Sequence, residues 1–237
     1  MRDSKNTILL GLTTTDLRWR EKIAETRKFD LKELALFPTF IGPDERKEFV
    51  AELKDSPVVS VPHVHIRDDF DAAEIQYFYD HYGTRRFNIH ATQAFKKALG
   101  EKFGDFKSMI YVENQEKISP MFFEIADLCG GLCLDFSHWE DFGVLQKDES
   151  YLGFNKVAER YEIGCSHASA VGKEMTYNRF VHLEYYNKHE AEDKTELEYL
   201  TKYKRYLPEF ISLELENSLE EQLEIKEWVE QELQKHS

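Results

Sequence analysis

Apolar residues along the chain gather into short runs, and longer segments between them repeat an apolar position every three or four residues. The runs are ILLGLTT (8–14), ELALFPTF (33–40), VVSVPHVHI (58–66), RRFNIHA (85–91), SMIYVEN (108–114), GLCLDFS (131–137), EIGCSHA (162–168) and FISLELEN (210–217). Several are almost continuous, as expected of a parallel strand buried on both faces. Between them, Ile75, Phe78, Tyr79 and Tyr82 form one helical stripe, and Leu197, Leu200 and Leu207 form another. Helix starts are marked by Asp71 with Glu74, Asp193 with Glu196 and Ser218 with Glu221, each spaced for a capping box, and by Ser119 before Pro120. Strand and helix alternating eight times predict right-handed βαβ units, a parallel sheet and closure into a (β/α)8 barrel. No GxGxxG follows the first run, so an open nucleotide-binding sheet loses its main signal. One domain is expected over 1–237, with a longer loop at about 169–193 lying over the barrel mouth.

The polar residues that end these runs are potential metal ligands. PHVHIRDD supplies His63 and His65, RFNIHA His90, MIYVENQ Glu113, LCLDFSHWED Asp135 and His138, IGCSHAS His167, and FISLELEN Glu214 and Glu216. In a closed parallel barrel the C-terminal strand ends share one mouth, so residues far apart in sequence meet there. Period two places His63 with His65, and Glu214 with Glu216, on common faces. Taken singly, each histidine is as well explained by a satisfied polar position on a loop or rim. Glu113 is harder to explain away, because a carboxylate after MIYV ends a buried strand, where an unpaired charge is costly. Glu113, Asp135, His167 and Glu214 together make a mixed oxygen and nitrogen set. It suits Mn²⁺, Co²⁺, Fe²⁺, Zn²⁺ or Mg²⁺, and its carboxylate content favours an open catalytic site over a closed structural one.

Composition narrows the function classes. The 237 residues are 41% hydrophobic and carry 45 acids against 31 bases, a net charge of −14. Duplex nucleic acid needs local basic density, and KYKRY (202–206) and Arg85-Arg86 are short and flanked by acids, so extended duplex binding is disfavoured. No stretch is apolar enough to span a membrane, and MRDSKNTILL is too short a run for a signal peptide. Cys129, Cys133 and Cys165 lack framework spacing, which implies free thiols and a reducing, cytoplasmic setting.

With these motifs the chain resembles the xylose-isomerase-like TIM barrels, which include sugar isomerases, ketose 3-epimerases, inosose dehydratases and endonuclease IV. The resemblance spans essentially the whole chain and lives in the strand-end motifs. It implies a single (β/α)8 TIM barrel of the xylose-isomerase-like kind. In the epimerase branch the last four strands carry Glu, Asp, His and Glu, matched here by Glu113, Asp135, His167 and Glu214. The Asp-x-x-His of that pattern is Asp135 to His138, with the histidine on substrate. Glu113 and Glu214 would then flank the substrate carbon and exchange its proton while the metal polarises the neighbouring carbonyl. The endonuclease IV branch adds histidines, matched by His63 or His65, His90 and His182. Its Asp-x-His pair is broken, because position 180 is Phe.

Other residues at predicted strand ends are candidates to contact substrate: Arg67 to grip an anionic group, Asn88, Trp139 to stack on a sugar face, and Tyr185. The alternatives for Arg67 and Trp139 are a local ion pair and a cap on the core. The leading expectation is a divalent-metal-dependent isomerase or epimerase acting on a small sugar, polyol or sugar phosphate. An endonuclease IV-like phosphodiesterase is the second, and a barrel that binds a metal or ligand without catalysis is the third. One barrel hosts many reactions, so the site must decide.

Overall fold

The computed structural model describes residues 6–178 and 183–235. The chain begins β1 (Thr7–Leu9), β2 (Gly11–Thr13), α1 (Trp19–Lys28), β3 (Ala35–Phe37), α2 (Pro43–Lys54), β4 (His63–His65), α3 (Ala72–Tyr82), β5 (Arg86–Ile89) and α4 (Gln93–Glu101). It continues β6 (Ile110–Glu113), α5 (Pro120–Ala126), β7 (Leu132–Asp135), α6 (Phe136–His138), α7 (Phe154–Arg160) and β8 (Ile163–Ala168). The last elements are β9 (Ala170–Asn178), β10 (Leu183–Lys188), β11 (Phe210–Leu213) and α8 (Leu219–Lys235). Every predicted run contains a strand, and the first is split at Leu10.

Nine strands form one parallel sheet in the order β1-β11-β8-β7-β6-β5-β4-β3-β2. The two ends of that order, β1 and β2, are consecutive in the chain, so the sheet curls into a nearly closed barrel. At the seam, a Cβ on Gly11 would stand 1.7 Å from the Leu213 carbonyl oxygen, so only glycine admits this approach. Gln222 of α8 closes the gap. The Gly11 N–H donates to its side-chain oxygen at 2.8 Å, and its amide donates to the carbonyls of Gly11, Leu215 and Asn217. A bulge lies in β8 opposite Leu132 and Cys133. There a Cβ on Gly164 would meet the Tyr111 ring at 2.1 Å, so the glycine makes room for that ring.

Alternation along each strand divides the side chains. Leu12, Leu36, Val64, Phe87, Val112, Leu134 and Leu213 face outward and pack with Trp19, Ile23, Phe49, Ile75, Phe78 and Phe122 of the helices in one large core. The opposite face holds small clusters, Leu9-Ala35-Phe37 and Tyr111-Cys133-Cys165. Towards the C-terminal strand ends that inner face becomes polar. The three cysteines are free thiols, and no helix among the described residues is long and apolar enough to cross a membrane.

The 169–193 connection differs from the expected loop. β9 and β10 pair antiparallel as a two-stranded ribbon, with a register shift between Tyr185 and Asn187. Buried Asp141 accepts the Tyr186 and Asn187 N–H groups, each at 2.9 Å, and so fastens the ribbon to a π-helical turn at Trp139–Leu145. The capping boxes at Asp71-Glu74 and Asp193-Glu196 are both formed, the second opening a 3-10 helix, Lys194–Tyr206. His182 and Phe180 lie outside the described residues.

Candidate metal centre

Four strands deliver the central residues. Glu113 ends β6, Asp135 ends β7, His167 lies near the end of β8, and Glu214 follows β11; all four are buried. Because the strands are parallel, these ends converge on one side of the barrel. His167 Nδ1 stands 3.2 Å from Glu214 Oε2 and 3.5 Å from Glu113 Oε2. Both pairs are near enough to attract as charges, and among the described residues His167 Nε2 has no hydrogen-bond partner.

Two of the four, Asp135 and Glu113, are held in place by neighbouring side chains. Asn114 clamps the end of β7, donating to the Asp135 carbonyl at 2.8 Å and accepting the Asp135 N–H at 2.9 Å. Asp135 caps α6, accepting from the His138 N–H at 2.9 Å and from the Ser137 hydroxyl. That turn aims His138 at the site: its Nδ1 lies 3.0 Å from the Asn114 carbonyl, 3.5 Å from Asp135 Oδ2 and 4.0 Å from Glu113 Oε1. Asn88 donates to Glu113 Oε2 at 2.7 Å.

The histidines of β4 sit at two depths. His65 faces Glu113 Oε2 at 3.8 Å, and its Nδ1 is buried without a partner. His63 lies one layer lower, bonded to Ser212 Oγ and Asn88 Oδ1. His90 reaches the same Glu113 oxygen at 3.9 Å from a more open position, its side chain 39% exposed. Its ring lies edge-on to His65 with centroids 4.8 Å apart.

Charge in this enclosure is redistributed. Burial pushes the Glu113 carboxyl up to about 8, with His167 pulling the other way and Glu214 and Asp135 adding to the rise. Burial acts against charge on His167, but Glu113 and Glu214 outweigh it and raise the ring to about 10. Burial likewise opposes charge on His138, and Asp135 and Glu113 overcome it, raising His138 to about 9. Glu214 also resists burial, and the nearby His167 holds it well below the usual carboxylate range. Two carboxylates share one imidazolium, and the nearer takes more of its benefit. His65 is driven well below its ordinary value, first by burial and then by His90 and His167.

Several groups of side chains could hold a metal ion, their ligand atoms lying within 4.8 Å of one another: Asp135-His167-Glu214, His65-Glu113-His167, Glu113-Asp135-His138 and His63-Cys133-His167. The first three fit a divalent cation. Buried polar atoms are normally partnered, and His65 Nδ1 and His167 Nε2, which have no hydrogen-bond partner among the described residues, point to something besides protein.

Other candidates fall elsewhere. Glu216 lies beyond β11, which ends at Leu213. It is half-buried, its N–H bonded to the His189 carbonyl, and belongs to none of the ligand groups found among the described residues. Arg67 is engaged by Asp69 at 3.2 Å and the Thr39 carbonyl at 2.7 Å. Trp139 is buried with Phe154, Tyr203 and Tyr206 around it, which places it in the core. Tyr185 packs edge-on to Phe142 and reaches Glu116 at 3.4 Å.

Beside the site, a cleft of about 760 Å³ is lined by Gln115, Glu116, Phe142, Tyr177 and Glu184 among others. Phe142 also touches the His138 ring edge-on, with centroids 5.8 Å apart, so the cleft adjoins the ligand cluster. A more apolar groove of about 260 Å³ between α2 and α3 is lined by Pro38, Phe49, Val50 and Tyr77, and it carries none of the candidate ligands.

Sequence reasoning passed over Ser212, Ser137 and His189. Ser212 precedes Glu214 by two in a strand, and Ser137 follows Asp135 by two, so period and capping signals existed for both. His189, whose Nδ1 lies 3.1 Å from the Glu214 carbonyl, sat in the segment expected to be loop. No protein-family model and no curated protein matches the chain.

Proposed function

We propose that the chain is a divalent-metal-dependent isomerase or epimerase, built as a xylose-isomerase-like TIM barrel and acting on a small sugar, polyol or sugar phosphate by proton transfer. Counting β1 and β2 as one interrupted strand gives the barrel eight strands. The observation that carries the reading is the approach of Glu113 and Glu214 to the same nitrogen of His167, at 3.5 and 3.2 Å. Glu113, Asp135, His167 and Glu214 would hold the metal, and when bound it would supply Lewis acidity towards a substrate carbonyl. A substrate carbon between the two glutamates meets a carboxylate on either side, the arrangement that removes a proton and returns one. His138, fixed through Asn114 and Asp135, orients a substrate oxygen. The neighbouring cleft has room for the rest of a small polyol.

The bases flagged in the sequence are engaged, which supports a small substrate over duplex nucleic acid. Lys202 pairs with Glu140, Arg205 with Glu159, and Arg86 donates to the Gly164 carbonyl. Solvent-deuterium incorporation into ketoses and ketose phosphates, measured with Mn²⁺ or Co²⁺, tests the reading. Exchange is expected, falling at least about 100-fold in Glu214→Gln. Exchange that survives the substitution unchanged would overturn the assignment of Glu214.

A second reading is favoured by one feature. His65 and His90 both approach Glu113 Oε2, at 3.8 and 3.9 Å, as a second metal site would require. A two-metal centre would suit phosphodiester hydrolysis. Cleavage of bis-p-nitrophenyl phosphate with no exchange would select it.

A further inference from the structure

Beneath the ligand cluster a chain of hydrogen bonds crosses the barrel interior. Ser212 Oγ lies 2.7 Å from His63 Nδ1, His63 Nε2 lies 3.0 Å from Asn88 Oδ1, and Asn88 Nδ2 lies 2.7 Å from Glu113 Oε2. All four residues are buried. The direction of each bond follows from its far end. Glu113 accepts at that oxygen, so Asn88 turns its NH₂ towards it and its carbonyl oxygen towards His63. That oxygen can only accept, so His63 carries a proton on Nε2. With that proton on Nε2, the neutral ring leaves its Nδ1 lone pair to accept from the Ser212 hydroxyl.

We propose that His63 is a positioning residue, not a metal ligand: with Ser212 and Asn88 it braces Glu113 for metal binding. The inference rests on the metal-centre reading above. His63, Cys133 and His167 come within 4.8 Å of one another, which taken alone suggests a second, sulfur-containing metal site. Both His63 nitrogens are already committed, so a metal there would have to break the brace. Ser212 of β11 lies two residues before Glu214, which follows that strand, so the brace also ties the strand leading to one carboxylate to the other carboxylate. Removing the Ser212 hydroxyl leaves His63 Nδ1 without its donor, so the ring is no longer fixed at that end and its hold on Asn88 and Glu113 loosens.

The test combines Co²⁺ titration with ¹⁵N NMR of the histidine rings near neutral pH, His63 being assigned by comparison with His63→Gln. The wild-type spectrum should show His63 protonated on Nε2 alone. Ser212→Ala should bind the same number of Co²⁺ ions as wild type, about 10–100-fold more weakly, and Ser212→Thr should restore the affinity. Loss of a whole equivalent of Co²⁺ in His63→Gln would make His63 a ligand and overturn the proposal. So would a wild-type His63 protonated on Nδ1 alone, or an unchanged affinity in Ser212→Ala. The tautomer is read without metal, so it decides the brace even if no Co²⁺ binds and the metal reading itself fails.

Discussion

Three residues of the cluster hold protons in the metal-free fold that they would release on unfolding. Glu113 is raised from 4.5 to about 8, His138 from 6.5 to about 9 and His167 from 6.5 to about 10. Between about pH 7 and pH 9 these three groups bind more protons in the folded than in the unfolded state, and their contribution to stability falls as pH rises. A metal bound there would displace those protons, so its binding would strengthen over the same interval. Thermal melts in EDTA should show Tm declining from about pH 7 to pH 9, with the gain from added Mn²⁺ growing across it. A Tm that rises over this interval in EDTA would contradict the arrangement of charges around His167. At lower pH, Glu214 and His65 act with the opposite sign, since both resist protonation in the fold.

At the scale of elements, the seam between β2 and β11 is the most demanding contact. Gly11→Ala would drive a Cβ to within 1.7 Å of the Leu213 oxygen, forcing the strands apart and disturbing the Gln222 bonds. Overpacking of this kind costs about 1–3 kcal/mol, visible as a lowered Tm. Asp71→Ala removes one half of the α3 capping box and should cost about 1 kcal/mol, without affecting metal affinity. The barrel strands were legible because burial on both faces leaves continuous apolar runs, and a ligand such as Glu113 ending MIYV stands out. The β9–β10 ribbon was not legible, because VGKEMTY and LEYYNK are exposed or half-buried and give no such run. Period two correctly grouped His63 with His65 but said nothing of depth, and depth separates a brace from a ligand. The same period does not reach Glu216, because β11 ends at Leu213.

At the scale of the whole molecule, the barrel gathers residues from widely separated points of the chain and encloses them. The polar inner face would be a liability if its nitrogens stayed unpartnered, since each buried unsatisfied group costs about 1–3 kcal/mol. A divalent ion held there would convert that liability into stability, so saturating Mn²⁺ or Zn²⁺ should raise Tm by several degrees, and Asp135→Asn should reduce the gain. The most direct measurement is anomalous diffraction from crystals of the metal-loaded protein. The predicted result is a peak bonded to His167 and at least two of Glu113, Asp135 and Glu214, at about 2.0–2.2 Å. No peak among these residues, or a metal held only by other side chains, would contradict the metal centre.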